Sequence, residues 1–283
     1  MAEFLTLHEI VRKAEQNLDQ GAWDYLVGGA DTESALRRNR AAVESWVFKP
    51  RILNDVSDVQ CSTQLLGTPL RIPVIMPPIG SIQLFEDTGA AGVARAVQEF
   101  GILQILSSVC LPTFEELAAE VPGPRVYQLY LMGDQAWMDD IIARAMEAGY
   151  TGFCLTADTQ TYSRRERDIL KRFVPPSGRV AGSGDFKAQA AMTWETVAHI
   201  KETFEIPLII KGVGVAEDAR RCVEAGVDGS DVSLPLHRSV FMTNPRFYSR
   251  KRAMLTRKWK EWRIGLQEQD LRERQLRAIG YVQ

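Results

Sequence analysis

Histidine is scarce in this sequence, with only His8, His199 and His237 among 283 residues. No two of them share an HExxH or a Cys/His spacing, so a zinc-type site is not expected. The four cysteines, Cys61, Cys110, Cys154 and Cys222, are far apart and form no CxxC pair. Two of them lie in apolar runs, which points to reduced, buried thiols. No apolar run is long enough to span a bilayer, and no charged segment followed by an apolar stretch opens the chain. A cytoplasmic location is the expectation. There is no P-loop, and Gly212-Val-Gly214 lacks the third glycine of a dinucleotide fingerprint.

Charge is nearly balanced, at a net −2, which points to no polyanionic partner. Its distribution is uneven, with 11 Lys and Arg against 4 Asp and Glu from Arg246 onward. What remains is a soluble composition, 45% hydrophobic and 25% charged, able to bury a large core.

Thr6-Leu-His-Glu9 is a capping box opening a first helix. A second carries Trp23 to Leu26 and stops at Gly28-Gly29, and Asp31 is expected to cap a third. From there strand and helix alternate. Apolar β-type runs stand at Ile72–Met76, Ile102–Leu106, Val126–Tyr130, Gly152–Leu155, Pro207–Ile210 and Val227–Val232. Helical patterns lie between most of them, and Gly101, Gly149 and Gly226 each close a helix before the next strand. This alternation predicts right-handed βαβ units and a parallel sheet. The fold class is α/β, a (β/α)8 barrel type with about six strands countable, preceded by N-terminal helices. Residues 1–243 form the barrel and 244–283 a basic tail, helical or disordered. A barrel lacking strands leaves unpaired edges, so low stability or association, for instance as a homo-oligomer, is expected unless another chain or the tail covers them.

In α/β barrels the chemistry gathers where strands end. The strand ends here deliver Pro77-Pro78-Ile79-Gly80, Ser107-Ser108, Gln128 with Tyr130, Thr156 with Asp158, and Lys211-Gly212. Paired Arg164 and Arg165 follow Asp158, and a loop rich in proline and glycine follows them. A cap for Asp158 and a solvated face for the arginines is the structural alternative. Buried polar groups cost free energy unless paired, so so many on one rim suit a flat cofactor tuned by hydrogen bonds and one positive charge.

The segments WDYLVGGADTESALRRN, FKPRIL, PVIMPPIG, ILSS, YQLY, LTADTQTYSRRERD, LIIKGV and AEDARRCVEAGVDG occur in that order between about Leu5 and Ser233. They resemble the FMN-dependent 2-hydroxy-acid oxidase and dehydrogenase family, which includes glycolate oxidase, lactate oxidase and mandelate dehydrogenase. The resemblance implies an enzyme that oxidises a small (S)-2-hydroxy acid to the 2-oxo acid by transfer to flavin N5. It implies that Pro78, Ile79 and Gly80 meet the flavin through their backbone, and that Ser107, Gln128 and Thr156 bond its ring. Lys211 would stabilise the anionic reduced flavin. Tyr25, Tyr130 and Arg165 would hold the substrate, and Asp158 would orient a catalytic histidine.

The resemblance stops at Val232-Ser233-Leu234-Pro235-Leu236-His237-Arg238, where the family has Ser-Asn-His-Gly-Gly-Arg. Pro235 takes the histidine's place and cannot accept a proton. His237 is a weak substitute, because it is shifted along the chain. The family's closing strands find no counterpart after it, so the match reads as C-terminally incomplete. Turnover is expected to be slow or absent, and a non-catalytic flavin-binding or interaction protein of the same descent is the alternative. The tail carries Arg250, Lys251, Arg252, Lys258 and Lys260. Charge runs are usually solvated, so neither nucleic acid nor membrane is expected as a partner.

Overall fold

The computed structural model describes residues 4–161, 163–175, 187–231 and 241–243. Ser233, Pro235, His237, Arg238 and the basic tail therefore lie outside the described residues. The chain divides into two compact units, Met1–Met242 and Thr243–Gln283.

Three helices come first, α1 (Leu7–Asn17), α2 (Gln20–Val27) and α3 (Ser34–Glu44). Thr6 caps α1, accepting from the Glu9 amide as the capping box predicts. Asp19 caps α2 through the amides of Gly21 and Ala22. Asp31 does not cap α3, contrary to the sequence expectation. The N-cap position belongs to Glu33, and Asp31 instead donates its backbone amide to Arg164 O at 2.7 Å. The turn at 30–33, with Asp31 and Glu33 both at positive φ, overrides the local capping preference.

A two-stranded antiparallel hairpin, β1 (Thr63–Leu65) and β2 (Thr68–Leu70), follows. The sequence reading missed it because each arm is only three residues long, too short for periodicity to register.

The main sheet runs in the order β3 (Ile75–Met76), β4 (Leu103–Ser107), β5 (Arg125–Leu129), β6 (Gly152–Thr156), β7 (Leu208–Lys211), β8 (Gly229–Asp231), with a short β9 (Phe241–Thr243) next. The pairs from β3 to β8 are all parallel, and chain order equals sheet order. This is the open, incomplete barrel that the alternation predicted. The first run shrinks from Ile72–Met76 to two residues. Pro73 has no amide to donate, and the Val74 amide turns back onto Ile72 O.

Between the strands lie α4 (Gly89–Phe100), α5 (Phe114–Glu120), α6 (Gln135–Glu147), α7 (Glu166–Leu170), α8 (Lys187–Ala190), α9 (Trp194–Thr203) and α10 (Ala216–Glu224). Side chains alternate across each strand. One face supplies Leu106, Leu129, Phe153, Leu155, Leu208 and Ile210 to the large core beneath the helices. The opposite face supplies Leu103, Ile105, Val126, Cys154 and Ile209, and the hairpin packs there through Leu65 and Leu70. The hairpin closes the apolar floor of the inner face. Truncating fully buried Phe153 to alanine would cost about 3–5 kcal/mol. Cys110, Cys154 and Cys222 are buried thiols, whereas Cys61 is exposed.

Candidate active site

Above the apolar floor, the same inner face turns polar at the strand ends. Ser107 pairs in register with Gln128, and Thr156 pairs with Lys211. Parity puts these four side chains on the face that carries Ile105, Val126, Cys154 and Ile209 lower down. Gln128 Nε2 donates to Thr156 Oγ1 at 2.8 Å, with both residues fully buried. Among the described residues Gln128 Oε1 has no hydrogen-bond partner, and neither do Gln104 Oε1 and Asp168 Oδ1. An orphaned buried carbonyl costs about 1–3 kcal/mol.

Lys211 Nζ lies 3.7 Å from Asp158 Oδ1, an ion pair across the ends of β7 and β6. Gly212 permits this approach. Its φ is +105°, and a Cβ there would stand 2.5 Å from Asp158 Cβ and 2.8 Å from Asp158 N. Burial pushes the Tyr130 hydroxyl above its ordinary value, with Lys211 opposing and Asp158 and Tyr25 reinforcing the shift. Tyr130 is therefore a neutral donor at neutral pH, within electrostatic reach of all three. Its backbone amide is held by Ser108 Oγ at 3.2 Å.

Ile79 O accepts from the Cys110 thiol at 2.9 Å, which anchors the Pro78-Ile79-Gly80 segment beside β4. A Cβ on Gly80 would come within 2.8 Å of Val109 Cγ2, so the segment lies close against the residue after Ser108.

Tyr25 and Arg165 come together, although the arginine is already engaged. Arg165 Cζ sits 4.7 Å above the Tyr25 ring. Its Nε donates to Asp168 Oδ2 at 2.9 Å, and its Nη2 to Tyr25 O and Gly28 O. Tyr25 stacks on Phe85 with centroids 6.0 Å apart. Arg165 is thus not on a solvated face, whereas Arg164 is exposed, and α7 starts after Arg165 rather than at Asp158. Glu33, Asp24, Arg167 and Lys171 link α2, α7 and the turn between α2 and α3 around this pair.

The orienting role expected for Asp158 finds no histidine among the described residues of the site. His199 bonds Asp139 from α9 to α6 on the helical layer, at 2.9 Å. His237 lies outside the described residues. Sequence reasoning also missed Gln189, which is buried behind Thr156.

A family model described as FMN-dependent dehydrogenase matches residues 14–234. Glycolate oxidase 1 of Zea mays is 33% identical over 253 residues, covering 82% of this chain and 69% of the maize chain. A peroxisomal (S)-2-hydroxy-acid oxidase of Oryza sativa subsp. indica is 34% identical over 247 residues, covering 81% of this chain and 68% of its own. Among solved structures, a mandelate oxidase superposes with a TM-score of 0.77 at 32% identity, covering 84% of this chain and 71% of that one.

Proposed function

The chain belongs to the FMN-dependent dehydrogenase family, and from that premise we propose that its strand-end rim binds FMN and takes a small 2-hydroxy acid beside it. FMN is the family's cofactor. The observation that carries the reading is Gln128 Oε1, a buried acceptor without a partner, flanked by Ser107, Thr156 and Lys211. A planar heteroaromatic ring offering N–H donors and carbonyl acceptors fits that set, whereas an aliphatic ligand would leave it unpaired.

Gln128, Thr156 and Ser107 would hold the ring edge, and the backbone at Pro78 to Gly80 would lie against it. Lys211 supplies a fixed positive charge where negative charge accumulates. When bound, FMN supplies two-electron acceptance from the substrate α-carbon. The protein orients the substrate. Tyr130, kept protonated by burial, donates to a carboxylate or hydroxyl oxygen. Arg165 and Tyr25 form the cationic, aromatic wall on the α2 side. Asp158 stands ready to stabilise a cationic base, as the acid of a catalytic triad does.

The second reading, a flavin-binding protein without turnover, is favoured by Pro235 in the position where the family carries its base. Both readings are tested by incubating the purified protein with FMN, removing free flavin and recording the visible spectrum. A retained band that bleaches anaerobically with glycolate, lactate or mandelate supports turnover. A retained band that persists supports the second reading. Loss of the band on desalting would refute both.

A further inference from the structure

We propose that Gln189 is a positioning residue of the FMN site, setting the spacing between the strand ends that carry Tyr130 and Thr156. The proposal deepens the FMN reading and rests on it.

Gln189 belongs to α8, a four-residue helix too short to hold itself by its own hydrogen bonds. Yet it is 2% exposed, among the most buried polar side chains described. Both ends of its amide are used. Oε1 accepts from the Leu131 amide at 2.7 Å, and Nε2 donates to Thr156 O at 2.6 Å. Leu131 follows Tyr130 beyond the end of β5, and Thr156 ends β6.

The register between these two strands stops at Leu129 and Leu155. Above it, a side-chain amide does what a peptide group does lower down. It donates to one strand and accepts from the other, adding one rung where the backbone ladder has ended. Thr156 in turn receives Gln128 Nε2, whose other amide atom is the orphan acceptor. A continuous hydrogen-bond path therefore runs from Leu131 N through Gln189, Thr156 and Gln128 to the atom expected to meet the flavin. Displacing the Thr156 backbone re-aims Gln128, and displacing Leu131 re-aims Tyr130. Gln189 touches neither substrate nor cofactor in this arrangement, so its effect travels through those residues.

The test compares the wild-type chain with Gln189→Leu and Gln189→Glu. The glutamate variant keeps the volume and the acceptor for Leu131, but sets a buried carboxylate oxygen against Thr156 O in place of the donor. FMN affinity is read by fluorescence quenching, the bound flavin by its visible band shape, and folding by the thermal midpoint without FMN. Both variants are expected to bind FMN about tenfold more weakly or worse, as loss of a buried bonded pair implies. The band shape is expected to change beside any fall in the midpoint without FMN, which the buried carboxylate lowers in the glutamate variant. Affinities within twofold of wild type would overturn the proposal, as would a large fall in midpoint with unchanged affinity, which marks a purely structural prop. If the wild-type chain binds no FMN, the FMN reading itself fails and the proposal falls with it. If the wild type binds and the variants bind equally, only the positioning role falls.

Discussion

Gln128 and Thr156 face each other across β5 and β6 with a 2.8 Å hydrogen bond, fully buried, and the second amide atom of Gln128 is unsatisfied. Natural cores rarely tolerate such an atom, and this one stands on the polar rim above an apolar floor. Gln128→Leu removes both the donor to Thr156 and the orphan acceptor. It is expected to weaken FMN binding by about five- to tenfold, the value of one net hydrogen bond of roughly 1–1.5 kcal/mol. The apo-protein should lose little stability or gain some, because an orphaned acceptor disappears. Fluorescence titration and denaturant midpoints measure the two effects separately, and a pure loss of stability with unchanged affinity would contradict the assignment.

Lys211 is the cation of the rim, set 3.7 Å from Asp158. Lys211→Met preserves most of the aliphatic stem and removes the charge. The reduction potential of bound FMN is expected to become more negative by about 30 mV or more, equivalent to ~1.4 kcal/mol for a two-electron couple. Anaerobic dye-linked titration reads this directly. An unchanged potential would place Lys211 away from the ring.

The repeat of strands and helices was legible in the sequence because a buried parallel strand is a plain apolar run and each helix ends on a marked residue. Runs such as Gly152–Leu155 and Pro207–Ile210 fall within one residue of β6 and β7. The rim set of Ser107, Gln128, Thr156 and Lys211 was legible for the same reason, since strand ends can be found once strands are. Other features had no such signal. The hairpin arms are three residues long, and the link from Gln189 to Leu131 spans 58 residues. The resemblance implies that Arg165 holds the substrate, but its bonds to Tyr25 O and Gly28 O reach α2 and its cap, some 140 residues away. Long-range backbone acceptors leave no trace in local pattern.

Asp24 gives the contact between α2 and α7 a definite pH dependence. It is buried, and Lys171 beside it holds its carboxyl below the usual carboxylate range against the opposing effect of burial. A carboxylate with a depressed folded pKa stabilises the fold above its unfolded value of about 4. That contribution is lost as the pH falls through the folded value. The wild type should therefore lose stability from about pH 4 downward, while Asp24→Asn starts lower at pH 7 and shows a shallower acid limb. Denaturant midpoints between pH 7 and pH 3 test this, and parallel curves for the two proteins would contradict it.

Gly212 couples backbone strain to the site. Alanine there must adopt φ near +105° and bring its Cβ within 2.8 Å of Asp158 N, a backbone atom that cannot swing aside. Gly149 makes a control, because its φ is +86° but none of the described residues lies within 4 Å of its Cβ position. Gly149→Ala carries only the backbone penalty, about 1–2 kcal/mol. Gly212→Ala adds the collision, so it is expected to cost about 1–3 kcal/mol more and to push Asp158 away from Lys211. The separation of charges should then appear in bound FMN as a shift in potential opposite to that of Lys211→Met, since removing a nearby carboxylate strengthens the lysine's field. Equal destabilisation by both alanines, with no shift in potential, would mean that Gly212 answers only to the turn and not to the pair it brings together.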